Sequence, residues 1–456
     1  MSLFHKWGGG RRPGYPEVVD AHDEFLVTDD GTELIDAAAG AAVANLGHSV
    51  PGVGDAFADT AEATGYVSLS HFTHEAPERV SERLATMAPG DLSAVFLVNS
   101  GSEANETAFK LARAFHEARG RPGKRKVVGR WQSYHGCTLG ALSASGNSAR
   151  RRTYDPQLAD WPHLPPAYPY RWDHTGTPEE QAVSAAHELE RLVRQEGPET
   201  VAAFVAEPVG GSSIPAAAPH PAYYREVRRI CDEHDVLFVA DEVMTGFGRT
   251  GEQFAVEYAG VVPDVLTLGK GLSAGFAPIA AAVVREPVAE VFDAGSSHSF
   301  SHGHTFSGHP PSAAVAATVL DRYDESLLAT ARDAGERLEA ALADLRAHPA
   351  VGDYRREGAM VGVEFVADRA TKAPFDPALG VADRLFDACV DRGVYVYPGT
   401  GSVDGVAGDH VMLAPPLTAS GDSLDAIGRV LTDAVRSVFE ADELAAKLQD
   451  TESRSG

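Results

Sequence analysis

The chain has 456 residues, of which 44% are hydrophobic, and 65 acidic residues against 39 lysines and arginines give a formal net charge of −26. This charge argues against nucleic acid or an anionic membrane as a partner. No apolar run approaches the ~20 residues that span a bilayer, and the start carries no secretory signal. The three cysteines are scattered without metal-ligand spacing, so we expect a cytoplasmic protein of about two or three domains or subdomains.

The acidic residues are spread along the chain rather than collected in one tail. Lysine is nearly absent: the basic residues are seven lysines and 32 arginines. A spread acidic surface with arginine in place of lysine is typical of proteins from a high-salt cytoplasm. We therefore interpret the charge as an adaptation to the environment, which predicts a halophilic protein.

In chain order, short apolar runs alternate with helical patterns, including helices at 103–119 and 222–234. The runs occupy residues 94–98, 126–128, 201–206, 236–240, 265–268 and 279–284. Strands that alternate with helices predict a mostly parallel α/β sheet, and near-continuous apolar strands predict that both faces of the sheet are covered.

After about residue 310 the pattern changes to long helices and separate strands, which predicts a smaller α+β domain. We assign residues 61–310 to a large domain and 311–446 to the small domain, with residues 1–60 as an N-terminal segment that joins the small domain. Residues 447–456 form a polar tail. Both ends of the chain, including "WGGGRRPG", are expected to be mobile.

Polar or small groups follow five of the apolar runs. Ligands bind outside the carboxyl ends of strands in open α/β sheets. These runs are followed by "NSGSEAN", "GRWQSYHG", Glu207, Asp241 and Lys270. Five such coincidences predict one site at the edge of the sheet where the carboxyl ends of the strands lie.

The first of these turns places Gly101 and Ser102 just before a helix. Free backbone N–H groups and the positive end of the helix dipole make such a turn a phosphate site. The alternative is a plain helix cap, in which Ser102 acts with Asn105 or Glu106.

Asp241 follows a buried strand and has three interpretations: a partner for a protonated ring nitrogen, for a metal, or for a helix N-terminus. "VLFVADE" also resembles the acidic strand of a P-loop ATPase. That class is excluded because the motif G-x-x-x-x-G-K-[ST] is absent.

A histidine-rich tract, "SHSFSHGHTFSGHP", carries His298, His302, His304 and His309. Such tracts can bind metal. The spacing matches no helical or hairpin ligand pattern, and the serines and glycines indicate a loop, so we expect no metal site.

Lys270 stands where an apolar run meets a glycine-rich turn, in a chain that has few lysines. It is either an ordinary loop cation or an amine with a chemical role. Arginine can replace lysine as a cation, but it does not lose its proton and attack a carbonyl. The amine is therefore our first hypothesis for Lys270, although this residue by itself favours the ordinary loop cation.

Together the edge offers a phosphate turn, the aromatic ring of Tyr134, a buried carboxylate and an isolated amine. These are the parts that pyridoxal phosphate requires. The chain resembles the class III aminotransferases, which have the α/β fold type I of pyridoxal-phosphate enzymes. The motifs of that family occur in order between about Asp29 and about Pro416, as "NSGSEANETAFKLAR", "YHGCTLGALSASG", "FVAEPVGGSS", "VADEVMTGFGRTG", "TLGKGLSAG" and "HTFSGHP".

The resemblance implies a role for each matching residue. It makes Lys270 the Schiff-base lysine and proton shuttle, and Asp241 the partner of the pyridine nitrogen. The remaining cofactor contacts that it implies are Gly101 and Ser102 at the phosphate, Tyr134 stacked on the ring with His135 and Gly136 beside it, Val243 behind the ring, Glu207 near the ring, and Thr305 at the phosphate of a neighbouring subunit. The resemblance thus also implies a homodimer or a dimer of dimers.

The expected reaction is amino transfer from an amine or amino acid to a 2-oxo acid such as pyruvate. "EPVGGSS" resembles the omega branch of the family. The same scaffold supports aminomutases, racemases and decarboxylases, and a cofactor-binding pseudoenzyme is a more remote alternative.

Omega-type relatives often carry a mobile arginine that binds a substrate carboxylate, and Gly405 stands at its position. Arg171 and Arg151 or Arg152 are candidates to replace it, although each is equally explained as a surface ion pair. Ala42, where relatives place tryptophan, predicts a roomy pocket. We expect a donor that is an amine, or an amino acid whose carboxylate lies far from the reacting nitrogen.

Overall fold

The computed structural model describes Lys6, residues 15–293, residues 295–440 and Leu444. The sequence "WGGGRRPG" and the polar tail 447–456 lie outside the described residues. Within them, the strands are β1 (Val18–His22), β2 (Phe25–Thr28), β3 (Glu33–Asp36), β4 (Leu92–Val98), β5 (Lys126–Arg130), β6 (His163–Leu164), β7 (Val201–Ala206), β8 (Leu237–Asp241), β9 (Val265–Leu268), β10 (Ala280–Arg285), β11 (Val351–Glu357), β12 (Met360–Phe365), β13 (Val394–Tyr395), β14 (Tyr397–Gly399) and β15 (Asp409–Leu413).

The helices lie between these strands and after the last of them. They are α1 (Ala39–Ala42), α2 (Val53–Ala63), α3 (Glu75–Met87), α4 (Gly101–Ala118), α5 (Leu139–Ala144), α6 (Ser148–Arg151), α7 (Pro178–Glu196), α8 (Ala222–His234), α9 (Glu286–Ala289), α10 (Pro310–Leu320), α11 (Glu325–Ala341), α12 (Val381–Val390) and α13 (Gly421–Phe439). The predicted helix at 222–234 is confirmed, and the one predicted at 103–119 begins two residues earlier, at Gly101.

The central sheet has seven strands in the order β4-β10-β9-β8-β7-β5-β6. Strands β9, β8, β7, β5 and β6 are parallel, whereas β10 runs antiparallel to both of its neighbours. The prediction of a mostly parallel α/β sheet is confirmed. Because β5, β7, β8 and β9 share one direction, the residues that follow them meet at one edge.

Both faces of this sheet are covered, which explains its uninterrupted apolar strands. Along β7, Phe204 and Ala206 pack in an apolar cluster with side chains of α7, α8 and α10. The alternate residues Ala203 and Val205 pack on the other face against α4. The period of two along the strand therefore divides its side chains between two cores.

Two smaller sheets complete the fold, in the orders β1-β2-β3-β13 and β11-β12-β15-β14. Strand β13 pairs in parallel with β3, so the N-terminal segment shares a sheet with the C-terminal part of the chain. The Ala414 N–H also donates to the Ala37 carbonyl at 2.7 Å. These contacts agree with an N-terminal segment that joins the small domain, whose exact bounds stay a prediction.

Within the described residues, no helix has both the length and the apolar character needed to cross a membrane.

Candidate active site

A cavity of about 510 Å³ opens at the carboxyl edge of the central sheet. Eight of the nine predicted site residues line it: Gly101, Ser102, Tyr134, His135, Glu207, Asp241, Val243 and Lys270. The parallel strands explain this convergence, since each residue follows a strand that ends at the same edge.

Lys270 follows β9 with a φ of 43°, in the left-handed region that non-glycine residues rarely adopt. Such backbone strain costs about 1–3 kcal/mol and persists where the surroundings enforce it. The flanking glycines allow close packing: a Cβ on Gly271 would meet Asn45 Nδ2 at 2.6 Å, and one on Gly269 would meet Val243 Cγ1 at 3.3 Å.

The Lys270 amine makes no hydrogen bond or ion pair with another residue that the structure describes. Desolvation lowers its pKa from 10.5 to about 8, although the carboxylates of Asp241 and Glu207 oppose this change. About a tenth of the amine is therefore neutral, and nucleophilic, at pH 7, which is far more than for an ordinary lysine.

Asp241 ends β8 and is 3% exposed. Its Oδ1 accepts a hydrogen bond from the Val243 N–H at 3.0 Å, while Oδ2 lies 2.9 Å from Asn105 Nδ2 and 2.7 Å from His135 Nδ1. No lysine or arginine of the described residues forms an ion pair with it. A buried carboxylate with these donors is suited to hold a cationic group of a ligand.

Helix α4 begins at Gly101, and its cap is Ser100, whose Oγ accepts from the Glu103 N–H at 3.2 Å. The alternative of a cap by Ser102 with Asn105 or Glu106 is therefore wrong. Ser100, one residue before the helix, has the extended backbone that a cap needs, whereas Ser102 is already helical.

Ser102 instead faces the turn after β5, where its Oγ accepts from the Cys137 N–H at 3.1 Å. The backbones in this corner approach closely. A Cβ on Gly101 would meet Val243 Cγ1 at 2.7 Å, and one on Gly136, at φ 139°, would meet Ser102 Oγ at 2.5 Å. Glycine at both positions therefore permits this close packing at a helix N-terminus, and a helix N-terminus suits a phosphate group.

Tyr134 and Glu207 meet at the opposite wall. The Tyr134 N–H donates to Glu207 Oε2 at 3.3 Å, and the Gly211 N–H donates to Oε1 at 3.1 Å. Burial raises the pKa of Glu207, and nearby Asp241 adds to this effect. Glu207 thus holds the backbone that carries the Tyr134 ring.

Thr305, the ninth predicted residue, is exposed and does not line this cavity. It lines a separate depression of about 840 Å³ beside Tyr66 and Phe72. The phenyl ring of Phe72 is 72% exposed, and Phe306 next to Thr305 is 54% exposed. Within this one chain, Thr305 therefore has no contact with the cavity that contains Lys270.

The candidate arginines are held elsewhere. Arg171 Nε donates to Glu364 Oε1 at 2.8 Å. Arg151 Nη1 donates to backbone carbonyls of residues 142, 143 and 145, and Arg152 is exposed. None of the three lines the cavity. Arg171 does form an ion pair, but its partner Glu364 is buried, so the pair is not the surface ion pair that we expected.

A neighbouring arginine that we did not predict, Arg150, also does not line the cavity, but it contacts Tyr134, which does. The Arg150 guanidinium carbon lies 4.2 Å from the centroid of the Tyr134 ring. The positive charge of Arg150 also lowers the pKa of Lys270, although desolvation and the carboxylates of Asp241 and Glu207 have larger effects. Gly405, at φ 83°, packs against α6, where a Cβ would collide with Ser148 Oγ. The missing side chain thus leaves room for the helix that carries Arg150.

The structure also places Ala42 and the histidine-rich tract. Ala42 is buried in an apolar cluster with Met412, and its neighbour Val43 lines the cavity instead. The histidine tract is confirmed as a loop, in which His302 lies 2.9 Å from both Thr107 Oγ1 and Lys110 Nζ.

Sequence reasoning missed Asn105 and Thr267. Asn105 belongs to the first motif, but its identity suggests a helix cap, and nothing in the sequence indicates that it faces Asp241. Thr267 lies inside an apolar strand. The only sign of its role in the sequence was that it is a single threonine among a valine and two leucines.

The arrangement fits a flat, phosphorylated ligand with a basic ring nitrogen and a carbonyl group. The corner at Gly101 would bind the phosphate, Asp241 the ring nitrogen and Lys270 the carbonyl, with Tyr134 over the ring. The donor set therefore matches pyridoxal 5′-phosphate.

Comparison with known proteins agrees with this chemistry. The sequence model of the family described as aminotransferase class-III matches residues 12–435. The chain is 38% identical over 427 residues to an uncharacterised aminotransferase, YodT, of Bacillus subtilis, an alignment that covers 93% of this chain and 96% of that protein. The chain belongs to the class III aminotransferases.

Solved structures of the class have the same fold. An (S)-enantioselective omega-transaminase from Thermomicrobium roseum superposes with a TM-score of 0.88 at 33% identity, covering 94% of both chains. The omega-transaminase from Pseudomonas jessenii in complex with PMP gives a TM-score of 0.87 at 32% identity, also over 94% of both. The class III aminotransferase described here therefore has fold type I and uses pyridoxal 5′-phosphate.

Proposed function

We propose that Lys270 and Asp241 are the catalytic residues of this aminotransferase. The observation that carries the proposal is the shared cavity, which is lined both by an amine with a lowered pKa and by a buried carboxylate that the Val243 N–H helps to hold. In this proposal, Lys270 Nζ binds the cofactor carbonyl and moves a proton to and from the substrate carbon.

The other residues bind and orient. The backbone N–H groups at Gly101 and Ser102 would donate to the phosphate, and the Tyr134 ring would cover one face of the pyridine with His135 beside it. Asp241 would accept a hydrogen bond from the protonated ring nitrogen. When bound, the cofactor supplies the electron sink that stabilises negative charge on the substrate carbon.

Val243 and Glu207 complete the proposed cofactor site. Val243, whose methyl groups lie beside Gly101 and Gly269, would pack against the back of the ring. Glu207 supports Tyr134 through its backbone N–H.

For the substrate, we propose a primary amine, or an amino acid with a distant carboxylate, as donor and a small 2-oxo acid such as pyruvate as acceptor. Gly405 cannot form a carboxylate clamp. Arg150 lies beside Tyr134 and takes that role for the acceptor, since a guanidinium binds a carboxylate through two parallel hydrogen bonds.

The test compares half-reactions, read from the cofactor absorbance. Arg150→Met should raise KM for pyruvate about tenfold or more and leave KM for an uncharged aldehyde acceptor unchanged. The matched control is Arg152→Met, which changes an exposed arginine two residues after Arg150 and should change neither KM value. A strong wild-type preference for glutamate with 2-oxoglutarate would contradict the substrate proposal, because it would require a dicarboxylate clamp.

We further propose a homodimer in which Thr305 reaches the phosphate site of the partner. Thr305 is exposed and lies beside exposed aromatic rings, including Phe72 and Phe306, which a second copy would cover. Phe72→Glu should shift the protein to monomers in sedimentation and weaken cofactor binding. Wild-type affinity in a monomeric variant would contradict the shared site.

The environment remains a proposal on the composition alone. We propose a cytoplasmic, halophilic enzyme, because the charge of −26 is spread over the chain and the cysteines are free.

A further inference from the structure

A buried side-chain amide joins three segments behind Asp241. Asn105 lies in the second turn of α4 and has no exposed surface. Its Nδ2 donates to Asp241 Oδ2 at 2.9 Å and to the His135 carbonyl at 2.8 Å. Its Oδ1 accepts from Thr267 Oγ1 at 3.1 Å. The bonding capacity of this amide is therefore used on both sides.

The orientation of the amide follows from the chemistry of its neighbours. An ionised carboxylate and a backbone carbonyl only accept hydrogen bonds, so the NH₂ group must face Asp241 and His135. The carbonyl oxygen then faces Thr267, whose hydroxyl can donate to it. If the amide were reversed, two acceptors would face its oxygen in a buried site, which is costly.

Thr267 connects this amide to the strand that carries Lys270. It is fully buried in β9, three residues before Lys270, and its backbone carbonyl accepts from the Glu242 N–H at 2.9 Å. The hydroxyl thus links β9, the end of β8 and helix α4. A valine of the same shape would preserve the packing but leave Asn105 Oδ1 without its donor.

Two of the three donors on Asp241, the Asn105 amide and the Val243 N–H, carry no charge, and the third is Nδ1 of the His135 ring. A neutral donor stabilises an ionised carboxylate without cancelling its charge, unlike an arginine partner. The bonds from Asn105 and Val243 therefore leave the carboxylate of Asp241 available to a cation in the cavity.

We propose that Asn105 and Thr267 are positioning residues that keep the Asp241 carboxylate aimed at the ring nitrogen of the cofactor. The inference rests on the proposed role of Asp241. It predicts that a change at Thr267, which does not line the cavity, alters the cofactor's properties through Asn105.

The test uses Thr267→Val, Thr267→Ser and Asn105→Asp, with Thr432→Val as control. Thr432 is a buried threonine of α13 whose hydroxyl donates to the Gly428 carbonyl at 2.8 Å. The readouts are the dissociation constant of pyridoxal 5′-phosphate from the apoenzyme, the pH at which the bound cofactor changes its visible absorption, and kcat.

Thr267→Val should weaken cofactor binding and lower kcat, each by about tenfold, because that factor corresponds to the free energy of one hydrogen bond in a charged network. It should also shift the pH at which the absorption of the bound cofactor changes. Thr267→Ser should restore all three values. Asn105→Asp places a second carboxylate against Asp241, so its effect should reach about a hundredfold. Thr432→Val should lower only the melting temperature.

Wild-type cofactor affinity and an unshifted absorption titration in both Thr267→Val and Asn105→Asp would overturn the inference. Asp241→Asn separates this result from a failure of the proposed function. If Asp241→Asn abolishes activity while the other two variants behave as wild type, only the positioning role is wrong. If Asp241→Asn retains full activity, the assignment of Asp241 itself is wrong.

Discussion

Among the residues that the structure describes, Lys124 and Lys270 are both withdrawn from solvent, in different regions of the molecule. Desolvation lowers the pKa of each amine to about 8. Lys124 is 4% exposed, and its Nζ donates to the carbonyls of Pro198, Val201 and His234 at 3.0, 3.0 and 2.9 Å. Lys270 has no comparable partners among the described residues.

The difference shows that burial and a lowered pKa do not make an amine reactive. The three protons of Lys124 are all directed at carbonyls, so this side chain joins the loop before β5 to two other segments, and it does not line the cavity that contains Lys270. Lys270 faces open volume on a strained backbone. The hydrogen-bond partners and the cavity therefore distinguish a structural lysine from a chemical one.

The largest expected effect is the loss of turnover in Lys270→Ala. Removing the group that transfers the proton should lower kcat by about 10²–10⁴-fold or more, while the melting temperature stays close to that of the wild type. Stopped-flow half-reactions with a primary amine measure the rate. A variant that transfers amino groups at the wild-type rate would refute the catalytic assignment.

Lys124→Met should produce the opposite result. It leaves three buried carbonyls without their donor, which should lower the free energy of unfolding by about 1–3 kcal/mol and leave kcat unchanged. Urea denaturation and the same half-reactions measure the two quantities. If kcat falls as in Lys270→Ala, the contrast between the two lysines is wrong.

The pH dependence of labelling separates the two amines further. Only the neutral amine reacts with an acylating reagent, and its fraction rises about tenfold per pH unit below the pKa. In the apoenzyme, labelling of Lys270 should therefore increase with pH and level off above about pH 8. Lys124, with the same lowered pKa, should stay unlabelled because it is enclosed.

Mass spectrometry of the labelled peptides identifies which lysine has reacted. Adding pyridoxal 5′-phosphate should protect Lys270 alone. A labelling midpoint near 10.5, the ordinary value for lysine, would show that the cavity does not desolvate Lys270.

The smallest effect expected is that of salt, which acts on the whole surface and on both lysine regions alike. The charge of −26 repels itself, and raising salt from ~0.1 M to 1 M shortens the screening length from about 10 Å to about 3 Å. The thermal midpoint should rise by several degrees for wild type, Lys124→Met and Lys270→Ala together. Equal midpoints in dilute buffer and molar salt would end the halophile interpretation.

Much of the site was predictable because it follows the ends of apolar strands. Asp241, Lys270, Glu207 and Tyr134 each come soon after a run that a two-sided sheet must bury, and parallel strands bring their ends together. Those positions needed only the order of residues along the chain. The strand β7 illustrates this, since its six predicted residues are the six observed.

Contacts between segments distant in the sequence were not predictable in this way. Asn105 has the composition of a helix cap, yet the packing of α4 against β8 and β9 turns its amide to Asp241. Arg150 was passed over for its neighbours Arg151 and Arg152, because only the direction of the side chains on α6 distinguishes the three.

By itself, the sequence determined the strand order along the chain, the family motifs and the residues at the carboxyl edge, because these depend on local periodicity and spacing. Only the tertiary structure decided the partners of Asp241, the approach of Arg150 to Tyr134 and the close packing of Gly405 on Ser148. Hydrogen bonds and steric contacts act over a few ångströms. They therefore depend on which helices and loops meet in space, and spacing along the chain does not reveal that.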